Sequence, residues 1–504
     1  MPCVVGIDFG ATNVCVAVAR KDGTVEVVAN DLGDFVTPAC VSFNELESVV
    51  GGPAKQQLVR NSENTATGMK RLIGRKYADL SDADKKQANC KVVNKDGKPH
   101  YSVTFKEENA TFTPEQLTTM LLEKVKETAE HFAGDSVFEC VISVPATFTQ
   151  EQKAALKQAA FDAKLSVLRF INEPTATCLQ YGIGQKDGDR KRDIHVLVYD
   201  LGATHLTVNV LLVRDGLYQI VATETVADFG GISFDTRLMQ YFAMEFMKKS
   251  KLDIRTSPRA IAKLRLECER ITNVLTTANS TMAAIDSLME GMDLHASMDR
   301  ERFETLCEPI FQKAFEPIAA AIKKSEFSMD DIDYVIMTGG AAKVPKLQTL
   351  MHEYFQDVDA HIDYQYPTDQ AVAMGAAQQA SLLFGHSHSE SNSEYDQTHV
   401  LAHSIGFEDS YGNFKTLLGA NTALPTRKHL TFSMPKDQND FLLRLFEGAQ
   451  NEKKCTGCTL VAEIAARDVA DKALQLTLYV REDSSVHVTL MNTENGERVF
   501  DERF

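Results

Sequence analysis

One stretch of this chain occurs twice. Val4-Val-Gly-Ile-Asp-Phe-Gly-Ala-Thr-Asn-Val-Cys-Val-Ala-Val18 is matched by Val196-Leu-Val-Tyr-Asp-Leu-Gly-Ala-Thr-His-Leu-Thr-Val-Asn-Val210. Asp8 falls on Asp200, Gly10 on Gly202, Ala11-Thr12 on Ala203-Thr204, and Val16 and Val18 on Val208 and Val210, with no gap. So regular a match marks a duplicated supersecondary unit. Each copy alternates apolar residues, turns at a glycine and alternates again, which predicts a β-hairpin. A glycine turn lets backbone N–H groups approach an anion, and small neighbours leave room for phosphate oxygens. An Asp closing the strand suits a hydrated magnesium ion, which takes few protein ligands. One such hairpin would be ordinary; two facing turns would clamp a polyphosphate from both sides.

Two further glycine turns support this reading. Tyr334-Val-Ile-Met-Thr-Gly-Gly-Ala-Ala-Lys-Val-Pro-Lys346 reads as a buried strand, a Gly339-Gly340 turn and a helix from near Pro345, whose N-terminus suits an anion. Phe229-Gly-Gly231 is another tight turn, followed by helical spacing through Phe234, Leu238, Tyr241 and Phe242. Between the copies, Val137–Pro145 reads as a strand, Gln150–Ala163 as a helix, and Val167–Pro174 as a strand leading into a helix that ends near Tyr181. This alternation predicts an α/β domain up to Phe384. Glu173 sits at a strand's C-terminal end, where open α/β sheets take ligands.

The pattern then changes. The serine-rich polar stretch 385–397 predicts a linker, with His386 and His388 as part of its composition. Residues 398–504 show short alternating strands, including Phe441–Phe446, the Leu474, Leu476, Leu478, Val480 face, and Val486–Leu490 after a turn at Arg481–Ser485. They predict a small antiparallel β-sandwich, an architecture that offers edges and grooves to extended peptides. Acidic residues outnumber basic ones, 70 to 53, for a net charge of −17, and the mixed-sign stretch Lys186–Asp193 reads as a solvated loop. Such a field disfavours direct nucleic-acid binding. No apolar run reaches membrane-span length, and the N-terminus lacks a secretory pattern. The ten cysteines show no framework spacing, and Cys455-Thr-Gly-Cys458 lacks the second pair that zinc needs. The expectation is a cytosolic chain with no membrane contact.

Several segments carry a resemblance. Gly6-Ile-Asp-Phe-Gly10, Lys70-Arg-Leu-Ile-Gly-Arg75, Ile171-Asn-Glu-Pro-Thr-Ala176, Asp286-Ser-Leu-Met-Glu-Gly291 and Gly339-Gly340 resemble signature segments of the heat shock protein 70 chaperones, in family order. Ala423-Leu-Pro-Thr-Arg427 and Leu445-Phe-Glu-Gly448 resemble, more faintly, that family's peptide-binding β domain. The resemblance implies an α/β actin-like, two-lobed nucleotide-binding domain over 1–384 that holds ATP and Mg2+ between its lobes. Asp8, Glu173 and Asp200 would face the magnesium waters, and Lys70 would hold the attacking water. Gly10, Ala11, Thr12, Asn13, Gly202, Ala203 and Thr204 would cradle phosphates, with Gly230 and Gly231 beside them. Glu269, Thr276, Gly339, Gly340, Lys343 and Asp369 would frame the adenosine.

The departures from the family pattern matter as much. Ala11 stands where the family has a threonine. His205 replaces a hydroxyl and Thr207 a carboxylate, while Thr272 and Asn273 replace a basic pair near the adenosine. Losing one oriented transition-state contact costs about 3–4 kcal/mol in a barrier, so slow or absent hydrolysis with retained binding is expected. The family's leucine-rich linker is replaced by the serine-rich stretch, and no helical lid is expected after the sandwich. This combination resembles the short, atypical Ssz-type branch, which implies a stable zuotin-type J-domain co-chaperone, the ribosome reached through that partner, and contact with nascent polypeptide. The alternatives are an autonomous ATP-hydrolysing peptide-binding chaperone, a small-molecule kinase on the same core, and a structural adaptor without nucleotide.

Overall fold

The two matched segments form the same structure twice. In the computed structural model of the chain, the described residues are 3–20, 24–185, 193–214, 216–387, 401, 403–409, 411–420, 422, 426–436, 438–448, 453–467, 469–481, 485–493 and 498–504. Cys3–Phe9 pairs antiparallel with Asn13–Ala19 on one side and parallel with Val137–Val144 on the other. Ile194–Leu201 pairs antiparallel with His205–Arg214 and parallel with Tyr334–Thr338. Each central strand thus carries the same neighbours in the same order. The first sheet continues to Ser166–Asn172 on its parallel side and Val25–Val27 on its antiparallel side; the second continues to His361–Asp363 and Leu217–Ala227. Near-continuous apolar strands are what a sheet covered on both faces requires, and Val5, Ile7, Val196 and Val198 are all buried.

Each sheet has its own core, which defines two lobes. In the first, Val5, Ile7 and Phe9 pack with Leu117, Leu121 and Val125 of the Pro114–Ala133 helix, whose Thr113 cap and Gln116 form a capping box. In the second, Tyr199 and Leu201 pack with Phe234, Leu238 and Phe242 of the Gly231–Ser250 helix and Phe303 and Phe311 of the Arg300–Ser325 helix. The expected Phe234, Leu238, Phe242 face is therefore a core face, and Tyr241 lies at its margin. The Ala371–Ser387 helix returns to the first lobe, packing Ala373, Ala376 and Ala380 with Val4, Cys15 and Ala17.

One local boundary needs correction. The last helix runs through Ser387, three residues into the expected linker, its alanine- and glutamine-rich body carrying on past Gly385. The remainder of that stretch lies outside the described residues. Behind the diglycine the helix begins at Pro345, as expected, with a 3-10 turn, Gly340–Lys343, in between.

The chain divides into two compact units, Met1–His388 and Ser389–Phe504. The second consists of two four-stranded antiparallel sheets. One contains Ser404–Glu408, Phe414–Leu418, Phe441–Gly448 and Thr459–Ala466; the other contains Thr426–Ser433, Ala473–Val480, Val486–Asn492 and Arg498–Arg503. Leu443, Leu445 and Ile464 from one sheet meet Leu474, Leu476, Leu478 and Leu490 from the other, the core of a sandwich. Most of the Lys186–Asp193 loop, residues 423–425 of the faint β-domain signature and the 482–484 turn lie outside the described residues.

Candidate nucleotide-binding site

A cleft of about 1600 Å³ opens between the two lobes. Every residue singled out above as a binding or catalytic candidate lines it except Gly230, whose neighbour Gly231 does. The two matched turns face this space. Gly10 is required in the first, since a Cβ there would meet the Asn13 carbonyl oxygen at 2.2 Å. The second is braced from behind: Gly231 N–H donates to the Gly202 carbonyl at 3.0 Å and Ile232 N–H to the Ala203 carbonyl at 2.9 Å. Gly339 stands against the strand that carries Asp200, at φ +89°, where a Cβ would lie 2.5 Å from Asp200 Oδ1.

Three carboxylates and one ammonium gather on the floor. Ser143 Oγ donates to Asp8 Oδ1 at 2.8 Å, and Lys70 Nζ donates to Glu173 Oε1 at 2.6 Å. Burial lifts the Asp8 carboxyl to about 6, with Glu173 and Asp369 adding to the effect and Lys70 and Ser143 opposing it. Burial likewise raises Asp200, helped by the charges of Glu173 and Asp8. Burial alone would lower Lys70, but Glu173, Asp8 and Asp200 outweigh it and keep the ammonium charged. Three carboxylates against one ammonium leave this set short of positive charge. A divalent cation would supply the balance, and the carboxylates fit a hydrated magnesium ion approached through its waters.

Two ion pairs also line the cleft. Lys55 Nζ meets Glu269 Oε1 at 2.5 Å, across the lobes, and Lys343 Nζ meets Asp369 Oδ2 at 2.5 Å. Asp369 Oδ1 is buried without a hydrogen-bond partner. Thr276 Oγ1 donates to the Asn273 carbonyl at 2.7 Å. Thr272, which stands where the resembled family has a basic residue, gives its hydroxyl to Asp235 Oδ1 at 2.7 Å. Burial lifts that acid to about 7, with the Glu269 charge adding to it.

The other departures have structural consequences. Thr207 lies opposite Asp200 in the strand register, and Cys15 holds the same place opposite Asp8. His205 Nδ1 lies 2.9 Å from Thr204 Oγ1, and its Nε2 lies 3.3 Å from Arg71 Nη2. Burial, together with Arg71 and Lys70, lowers this imidazole to about 4, so it is neutral at pH 7. Sequence reasoning missed Ser143, Lys55, Asp235, Arg71 and Asp228 as parts of the site. Arg71 stood beside Lys70 in a quoted segment, but nothing local marked its partners.

The comparisons with known proteins agree with this geometry. A family profile described as Hsp70 protein matches residues 4–498. The chain is 40% identical to a heat shock 70 kDa protein of Emericella nidulans over 90% of this chain and 70% of that one. It is 36% identical to heat shock 70 kDa protein 14 of Danio rerio, over 98% of this chain and 97% of the relative. With heat shock 70 kDa protein 14-B of Xenopus laevis it shares 35% identity, over 98% and 97%.

Proposed function

This chain belongs to the Hsp70 family of chaperones, and within that family we propose that it is an ATP-binding subunit that retains magnesium–ATP, hydrolyses it slowly or not at all, and assists nascent chains in the cytosol. The observation that carries the reading is the pairing of two matched turns across one cleft whose floor holds Asp8, Glu173, Asp200 and Lys70. The amides of Gly10–Asn13 and Gly202–Thr204 grip the phosphates. Asp8, Glu173 and Asp200 would hold a magnesium ion, which would supply charge neutralisation at the phosphates. Lys70, fixed by Glu173, orients the water that would attack.

Slow hydrolysis follows from what the turns lack. Ala11 brings no hydroxyl, Thr207 no carboxylate, and the imidazole of His205 is neutral and engaged with Arg71 and Thr204. Binding depends on backbone amides and carboxylates that are all present, whereas transition-state stabilisation depends on the missing groups. The near end-to-end match with heat shock 70 kDa protein 14 relatives supports placing the chain in the short branch. A zuotin-type J-domain protein is then its partner and its route to the ribosome.

Calorimetric titration with magnesium–ATP, followed by a single-turnover phosphate-release assay, tests this. Saturable binding with release far slower than that of a cycling chaperone is expected; brisk turnover stimulated by peptide would contradict it. An autonomous ATP-hydrolysing chaperone is the second reading, favoured by the intact Lys70–Glu173 pair. Affinity purification from cytosol separates the two, since only the first requires a J-domain protein in fixed ratio.

A further inference from the structure

A second cluster ties the lobes together at the Lys70 end of the cleft. Arg71, the next residue on the same short helix, Met69–Leu72, has its side chain almost fully buried. From the first lobe, Arg71 Nη2 donates to Asp228 Oδ1 at 2.9 Å, and Gln87 Nε2 donates to the same oxygen at 2.9 Å. Asp228 ends the Leu217–Ala227 strand of the second lobe, at φ +55°. His205, also of the second lobe, receives the other contact of Arg71 Nη2.

The directions of these bonds are fixed by chemistry. Arginine only donates, so His205 Nε2 accepts; the neutral ring therefore carries its proton on Nδ1, which donates to Thr204 Oγ1. The Thr204 hydroxyl, itself buried, keeps its own proton to give away. It belongs to the turn that faces the cleft, and a phosphate oxygen held there is a fitting acceptor.

Resting on the nucleotide reading above, we propose that Asp228 and His205 clasp Arg71 across the cleft and so aim the Thr204 hydroxyl at the terminal phosphate, making the chain select triphosphate over diphosphate. Lobe closure and phosphate grip become one event: the lobes cannot part without releasing the imidazole that orients Thr204. Arg71, Asp228 and His205 are positioning residues here, and only Thr204 touches the ligand. The terminal phosphate is the one concerned because the clasp adjoins Lys70, which the nucleotide reading places at the attacking water.

The test is calorimetric titration of the full chain with magnesium–ATP and with magnesium–ADP. Asp228→Asn and His205→Phe should each weaken ATP about tenfold, the loss of one charge-assisted or directed hydrogen bond, and leave ADP nearly unchanged. His205→Gln, whose amide offers one acceptor and one donor, should restore the wild-type ratio. Asp228 is half exposed, so its variant keeps the test valid if His205→Phe fails to fold. Equal weakening of both nucleotides, or no change in either, would overturn the clasp alone. A wild-type chain that binds neither nucleotide would overturn the nucleotide reading, and the clasp with it.

Discussion

Asp8 and Asp200 occupy equivalent places in two sheets. Each lies near the end of a central strand. Each faces an antiparallel neighbour, Cys15 or Thr207, and a parallel one, Ser143 or Thr338. Each also carries a carboxyl that burial pushes above its usual range. The duplication visible in the sequence is therefore a duplication of chemistry, aimed at one space from two sides.

That crowding predicts a sign reversal on mutation. In magnesium-free buffer Asp200→Asn should stabilise the first unit by about 1–3 kcal/mol, because a raised pKa records a charge the fold resists, at about 1.4 kcal/mol per unit. With magnesium–ATP at a hundred times its Kd, the wild type should gain about 2.7 kcal/mol, and the variant most of that less. Thermal melts with and without ligand check both halves.

Asp235 predicts a pH dependence. Its folded pKa, lifted to about 7 mainly by burial, lies above its unfolded value. The folded state therefore binds the extra proton between about pH 4 and 7. The contribution of this group is fully favourable below pH 4 and is lost as pH rises through 7. Denaturant titrations at pH 5 and pH 8 should show the wild type losing up to about 2–3 kcal/mol relative to Asp235→Asn. An identical pH response in the two proteins would contradict the assignment.

Restoring the missing groups of the second turn should give a gain of function. His205→Thr with Thr207→Asp returns the hydroxyl and carboxylate that the resemblance placed in the second turn. Single-turnover phosphate release should rise by about 10- to 100-fold, part of the 3–4 kcal/mol that one oriented contact is worth. An unchanged rate would locate the barrier elsewhere.

In the β-sandwich, Leu476 is fully buried among Leu474, Leu478 and Leu490. Leu476→Ala should cost about 2–5 kcal/mol. Denaturation followed by a probe in that unit should register the loss, while nucleotide titration should be unaffected.

Much of this was legible because it is local. The hairpins, the Gly231–Ser250 helix with its Phe234, Leu238, Phe242 face, and the alternating sandwich strands follow from spacing over a few residues. The floor of the cleft was legible only through the internal match and the resemblance, since Lys70 and Glu173 meet from 103 residues apart. What stayed hidden are contacts with no local signature. Arg71 reaches Asp228 over 157 residues and Lys55 reaches Glu269 over 214; side chains such as these read from sequence as solvated charges. The run-on of the last helix through Ser387 was missed because Gly385, His386 and Ser387 all lower helix propensity, Gly385 most, yet none of them stops the helix.

The most direct test of the central claim is a crystal structure of the chain grown with magnesium and a non-hydrolysable ATP analogue. The account predicts phosphate oxygens within hydrogen-bond reach of amides in both Gly10–Asn13 and Gly202–Thr204, with Asp8, Glu173 and Asp200 turned to the metal's waters. Nucleotide bound to one turn alone, or bound outside the cleft, would contradict it.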